Sequence, residues 1–157
     1  MIVIALVVSA ILRLVPASDW RAATVHSIWV QVLGSGLLIG STAFALWARV
    51  RLGRMWSLAP MVKDPDGLRT DGPYGVTRHP IYTGLLGMLL GTMLVVGLGR
   101  SLVIFPVGVV LLGIKIRMEE ALLLTSFPTV YPGYRRRVPQ LVPGLRLLRR
   151  RPNAADG

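Results

Sequence analysis

The chain has 157 residues, 53% of them hydrophobic, with a formal net charge of +11 and no cysteine. Its length suits one domain, but so apolar a composition, gathered in long blocks, excludes an ordinary soluble protein of this size. Without cysteine there is no disulfide, no thiolate nucleophile and no cysteine-ligated metal, and His26 and His79 are too few for a histidine-rich metal site. The positive charge has two readings. A nucleic-acid binder would interleave its basic residues with aromatics on a polar surface. Here they flank the apolar blocks, the pattern of membrane proteins whose cytoplasmic segments are rich in lysine and arginine. That pattern favours a bilayer, not a nucleic acid, as the partner.

In chain order, Ile2 to Val15 is apolar apart from Ser9 and Arg13 and is stopped by Pro16. It is short for a span, but Arg13 near its end can snorkel to the interface. A cleaved signal peptide is the rival reading; no basic stretch precedes the apolar run, which favours a retained helix. Val25 to Ala48 is predicted to span, with Trp29 and Trp47 near its ends as an interfacial belt. Its Gly34, Gly36 and Gly40 offer a neighbouring helix close approach. Residues 49–79 form a long loop with Arg49, Arg51, Arg54, Lys63, Arg69 and Arg78 against Asp64, Asp66 and Asp71. Turn signals lie at Asp64-Pro65-Asp66-Gly67 and Asp71-Gly72-Pro73, and loops of this length are usually functional.

Pro80 opens the third predicted span, to Leu98, because a proline costs nothing at the first helical turn. Gly84, Gly87 and Gly91 line one of its faces. After a tight turn at residues 97–101, Leu102 to Leu124 returns through the membrane, with Phe105-Pro106 as an early kink. Of the 18 basic residues only Arg13, Arg21 and Arg100 fall outside the long loop, the end of the fourth span and the tail 125–157. The expected fold is therefore an all-α integral membrane protein with spans at 2–15, 25–48, 80–98 and 102–124. Loop, tail and both termini are expected in the cytoplasm, as in a bacterial inner-membrane protein.

Three groups carry candidate chemistry. Glu119-Glu120 lies near the hydrocarbon boundary, where carboxylates are costly unless paired and mark functional sites; alternatively the two acids neutralise Lys115 and Arg117 along one helix face. They point about 100° apart, so one of them is expected to face a site. Arg78-His79 precedes a helix start, where backbone N–H groups and a guanidinium suit a carboxylate or phosphate; alternatively Arg78 is simple positive flanking and Tyr82 an interfacial anchor. Tyr131, Tyr134 and Arg135-Arg136-Arg137 form a basic aromatic patch that anionic lipids would hold.

Taken together, Gly72-Pro73-Tyr74, Arg78-His79-Pro80-x-Tyr82-x-Gly84, Glu119-Glu120-x-x-Leu123, Phe127, Tyr131-x-x-Tyr134 and Arg137-Val138-Pro139 form a pattern. This order and spacing resembles the isoprenylcysteine carboxyl methyltransferases and the related phospholipid N-methyltransferases, over roughly Leu52 to Pro143. The resemblance implies a membrane enzyme using S-adenosylmethionine in a cytosol-facing pocket completed by the loop and tail. It implies cofactor contacts from Tyr74, Gly75, Val76, His79, Pro80, Tyr82, Glu119, Glu120 and Tyr131. Arg78 and Glu120 would serve catalysis, and Arg78, Arg117 and Tyr134 would meet a lipid-like acceptor, with a carboxylate as the expected group and no metal. Pro128 departs from the glycine usual after the motif's phenylalanine. A carboxylate acceptor is already ionised near neutral pH and needs no base, whereas an amine needs a route for its proton. Other readings are N- or S-methylation of a phospholipid or small molecule, a nicotinamide-dependent membrane reductase, and a non-catalytic anchor.

Overall fold

A computed structural model describes residues 27–53 and 68–141. The first expected span, the middle of the long loop and the tail beyond 141 lie outside the described residues. Among the described residues five helices follow in order: α1 (Ile28–Leu52), α2 (Pro73–Val76), α3 (Pro80–Val96), α4 (Ser101–Ser126) and α5 (Tyr131–Arg137). There is no strand among the described residues.

With 25 and 26 residues, α1 and α4 are long and apolar enough to cross a bilayer. At about 1.5 Å per residue they exceed the roughly 30 Å of a hydrocarbon core. Helix α3 has 17 residues, so the span expected at 80–98 is an apolar helix somewhat short of that thickness. Large apolar side chains on α1 and α4 face outward, among them Trp29 at 75% and Met118 at 66% exposure. Such surfaces are stable against lipid or protein, not water.

The packing of α1 on α3 rests on small residues. A Cβ added at Gly91 would lie 2.9 Å from the Gly34 carbonyl oxygen, and one at Gly84 would lie 2.7 Å from the Ala45 Cβ. One at Gly87 would meet the Ser41 side chain. The two backbones meet where side chains are absent, as in other membrane helix pairs. Gly34 takes the part expected of it, while Gly36 and Gly40 have nothing within 4 Å and face away from this seam. Helix α4 lies on the other side of α3, with Leu89 against Gly108, and Pro106 sits within it without ending it.

A second, smaller core caps one end of the helices. Phe127, Tyr131, Tyr134 and Val138 are buried together, with Leu68, Leu123 and Leu124 packed around them. Gly72 leads into α2 with φ +55, close to Trp47 and Arg51 of α1. That backbone conformation suits a residue without Cβ. The polar residues singled out in the sequence lie between this cap and the start of α3.

Candidate active site

The residue before a proline is kept out of helical geometry, so His79 is the N-cap and Pro80 the first residue of α3. The extended segment Thr77–His79 then runs beside the C-terminal part of α4, where Glu120 is buried at 6% exposure. Arg78 donates to Glu120 Oε1 from Nη2 at 2.6 Å and from Nε at 3.0 Å. Its Nη1 donates to the carbonyls of Val138 at 2.8 Å and Arg135 at 2.9 Å. His79 Nε2 lies 3.3 Å from the same carboxylate oxygen, and Arg135 Nε lies 3.6 Å from Glu120 Oε2. One buried acid thus gathers three basic side chains from α3's entrance and α5. Such a cluster is stable because its charges are paired and hydrogen-bonded.

Glu119 is engaged as well. The Tyr82 hydroxyl, one turn into α3, donates to Glu119 Oε2 at 2.9 Å, and the Tyr82 ring stacks on His79 with centroids 5.7 Å apart. Both acids are thus held at the entrance of α3, each by a different partner. α3's entrance offers partners at both 78–79 and 82, and adjacent residues of α4 reach each of them. Neither acid pairs with Lys115 or Arg117 in the structure; both of those are exposed.

The tyrosines hold the cap. Tyr134 donates to the Tyr74 carbonyl at 2.6 Å, tying α5 to α2. Tyr131 is fully buried, and its hydroxyl has no hydrogen-bond partner among the described residues. Burial, with the nearby Glu120 charge second, pushes the Tyr131 hydroxyl up to about 12. Burial and the Glu119 charge do the same for Tyr74, and burial raises Tyr134 further. All three remain protonated donors around neutral pH. Pro80 is fully buried beneath this cluster, whereas Gly75 and Val76 are exposed on α2.

The sequence reading missed Thr77, Thr83 and residues 139–141. Arg78 N–H donates to the Pro139 carbonyl at 2.9 Å and His79 N–H to that of Gln140 at 3.2 Å. Thr77, with no exposed surface, donates from Oγ1 to the Gln140 carbonyl at 2.8 Å, and Thr83 Oγ1 donates to the Leu141 carbonyl at 2.8 Å. The only sequence signal was a threonine on either side of the Arg-His-Pro run. No group of three or more metal-ligating side chains occurs among the described residues.

The phospholipid methyltransferase family model matches residues 29–129, from α1 through Glu119-Glu120 and ending just before α5. Over 129 residues the chain is 34% identical to the cobalt-zinc-cadmium resistance protein CzcN of Cupriavidus metallidurans, covering 79% of this chain and 57% of that protein. Over 99 residues it is 36% identical to the protein-S-isoprenylcysteine O-methyltransferase of Schizosaccharomyces pombe, covering 61% of this chain and 42% of that one. The chain thus spans about half the length of these curated relatives. No solved structure matches. Apolar helices of spanning length, together with these likenesses, define the class as membrane methyltransferases. The chain belongs to the phospholipid methyltransferase family, which includes the isoprenylcysteine methyltransferases.

Proposed function

We propose that this chain is an S-adenosylmethionine-dependent methyltransferase acting on a lipid-like acceptor, at a carboxylate, from the basic face of a bacterial inner membrane. The observation that carries the reading is the buried Arg78–Glu120–His79 cluster beside a Tyr131 hydroxyl that has no hydrogen-bond partner among the described residues. A buried donor without an acceptor is costly on its own, and a polar ligand would supply the acceptor. S-adenosylmethionine presents a carboxylate, an ammonium and ribose hydroxyls, and the donor set fits it. Tyr131 is a donor, and the Glu119 and Glu120 oxygens have lone pairs left for an ammonium or a hydroxyl. When bound, the cofactor supplies an electrophilic methyl group.

The chain's residues bind and orient. Arg78 and His79 hold the Glu120 carboxylate in one position, and Tyr82 does so for Glu119. With its nitrogens spent on Glu120 and two backbone carbonyls, Arg78 serves by fixing Glu120. The half-exposed Arg135 and exposed Arg117 and Arg136 supply positive charge for an anionic acceptor. An ionised carboxylate needs no base, so orientation supplies most of the rate. A second reading, methylation of an amine headgroup, is favoured by the family's description as phospholipid methyltransferases; it would require a proton acceptor, and His79 is the candidate.

The test is calorimetric binding of S-adenosylhomocysteine to detergent-purified protein and to Tyr131→Phe. Because the hydroxyl has no hydrogen-bond partner among the described residues, the variant should unfold at the same temperature as the parent or higher, yet bind about tenfold more weakly. Equal binding by the two proteins would remove Tyr131 from the site, and no binding by either would overturn the cofactor assignment.

A further inference from the structure

We infer that Thr77 and Thr83 are positioning residues that latch the segment Val138–Leu141 onto the entrance of α3 and thereby hold Arg78 and His79 against Glu120. The inference rests on the methyltransferase reading above and adds to it two threonines outside the acid–base cluster and the segment Val138–Leu141, which lies beyond the family match ending at 129.

The latch has two strands of connection. Along the backbone, the N–H groups of Arg78 and His79 donate to the carbonyls of Pro139 and Gln140. From the side chains, Thr77 Oγ1 donates to the same Gln140 carbonyl at 2.8 Å. The Thr83 hydroxyl has one proton and two carbonyls within reach, Leu141 at 2.8 Å and His79 at 3.1 Å. Thr77 is completely buried, and its hydroxyl also lies 3.4 Å from that of Thr83, so the two side chains form one linked pair beneath the segment. The shorter bond of Thr77, to the Gln140 carbonyl, is the one that holds the segment in place.

The coupling to the site runs through Arg78. The guanidinium that grips Glu120 is itself held by the carbonyls of Arg135 and Val138, the residues leading directly into the latched segment. If Val138–Leu141 lifts, Arg78 loses the Val138 acceptor on its side chain and the Pro139 acceptor on its backbone at once. The His79 N–H loses Gln140 in the same movement. Arg78, left with the Arg135 carbonyl alone beside Glu120, and His79 are then both loosened, although neither threonine touches the carboxylate. Gln140 contributes only its carbonyl, and its side chain is exposed. The sequence constraint therefore falls on the threonines.

The experiment compares the full chain with Thr77→Val, which keeps the side-chain shape and removes the hydroxyl, and with Thr77→Ser, which restores it. Amide hydrogen exchange at Arg78 and His79 reads the latch directly, because those two N–H groups are donated to it. Calorimetric affinity for S-adenosylhomocysteine reads the site. Thr77→Val should exchange faster at these two amides while α3 interior amides keep their protection, and should bind about tenfold more weakly. Thr77→Ser should return both readouts to within about twofold of the parent. Should Thr77→Val not fold in detergent, Thr83→Val, at a partly buried position, takes its place with the same expectations. Unchanged exchange would overturn the latch. Faster exchange with full affinity would overturn the positioning role. Absence of binding by the parent protein would overturn the methyltransferase reading, and the positioning role with it.

Discussion

The Arg78–Glu120 pair permits a quantitative test of what holds the site together. Its side chains are only 8% and 7% exposed, and the closest bond is 2.6 Å. Removing one partner of such a pair leaves an uncompensated buried charge, which costs about 3–5 kcal/mol. Glu120→Gln keeps the shape and an acceptor oxygen, so its cost belongs near the lower end, about 3 kcal/mol. Arg78→Met should cost about 2 kcal/mol at Glu120, which loses its closest partner but keeps His79 and Arg135 nearby, plus about 1 kcal/mol for the part-buried Val138 carbonyl. In the double variant no charge is stranded. Its cost should therefore fall short of the sum by about 2 kcal/mol, within the range measured for contacting residues. The assay is unfolding in mixed micelles, with the four proteins compared under one condition. Costs that add to within about 0.5 kcal/mol would show the two side chains to be independent and refute the pairing as the organising contact.

Two further outcomes follow from the packing and from the tyrosines. Gly91→Ala places a methyl 2.9 Å from both the Gly34 carbonyl oxygen and the Leu38 nitrogen, so it should destabilise the protein by about 1–3 kcal/mol in the same assay. Gly40→Ala, with nothing within 4 Å, should be neutral or stabilising; equal costs would refute the seam. On the alkaline side, Tyr74 and Tyr131 rise from 10.0 to about 12 on folding, so the folded state holds protons that the unfolded chain releases. Their contribution is complete below pH 10 and is lost as pH climbs toward 12. The unfolding temperature should fall across that window as tyrosinate absorbance rises, and free titration of all tyrosines near pH 10 would contradict their burial.

Much of this arrangement was legible in the residues. Apolar blocks mark helices because bilayer thickness sets their length, and the blocks expected at 25–48 and 102–124 are α1 at Ile28–Leu52 and α4 at Ser101–Ser126. Pro80 fixed the start of α3 because a proline belongs in a first turn, but only the structure shows that helix to be 17 residues long. The rotation of a helix is harder to read. Gly34, Gly36 and Gly40 carry the same composition signal, yet only Gly34 lies in the seam. Glu119 and Glu120 suggested pairing with Lys115 and Arg117 by local spacing. A guanidinium from 42 residues away displaced that pairing because it approaches with two N–H groups in a buried setting. The latch left little trace beyond the two threonines flanking Arg-His-Pro, since its partners are 58 to 63 residues apart and half of them are backbone carbonyls.

The central claim is methyl transfer to a lipid-like acceptor, and labelled-methyl S-adenosylmethionine tests it most directly. Purified protein in nanodiscs made from bacterial lipid extract would be incubated with the label, and the organic phase then separated and treated with mild base. The account predicts label in the organic phase matched one for one by S-adenosylhomocysteine, released by base as volatile methanol as a methyl ester should be, and absent with Glu120→Gln. Label that base leaves non-volatile would move the acceptor to an amine. No label in the organic phase from protein that binds the cofactor would contradict the account.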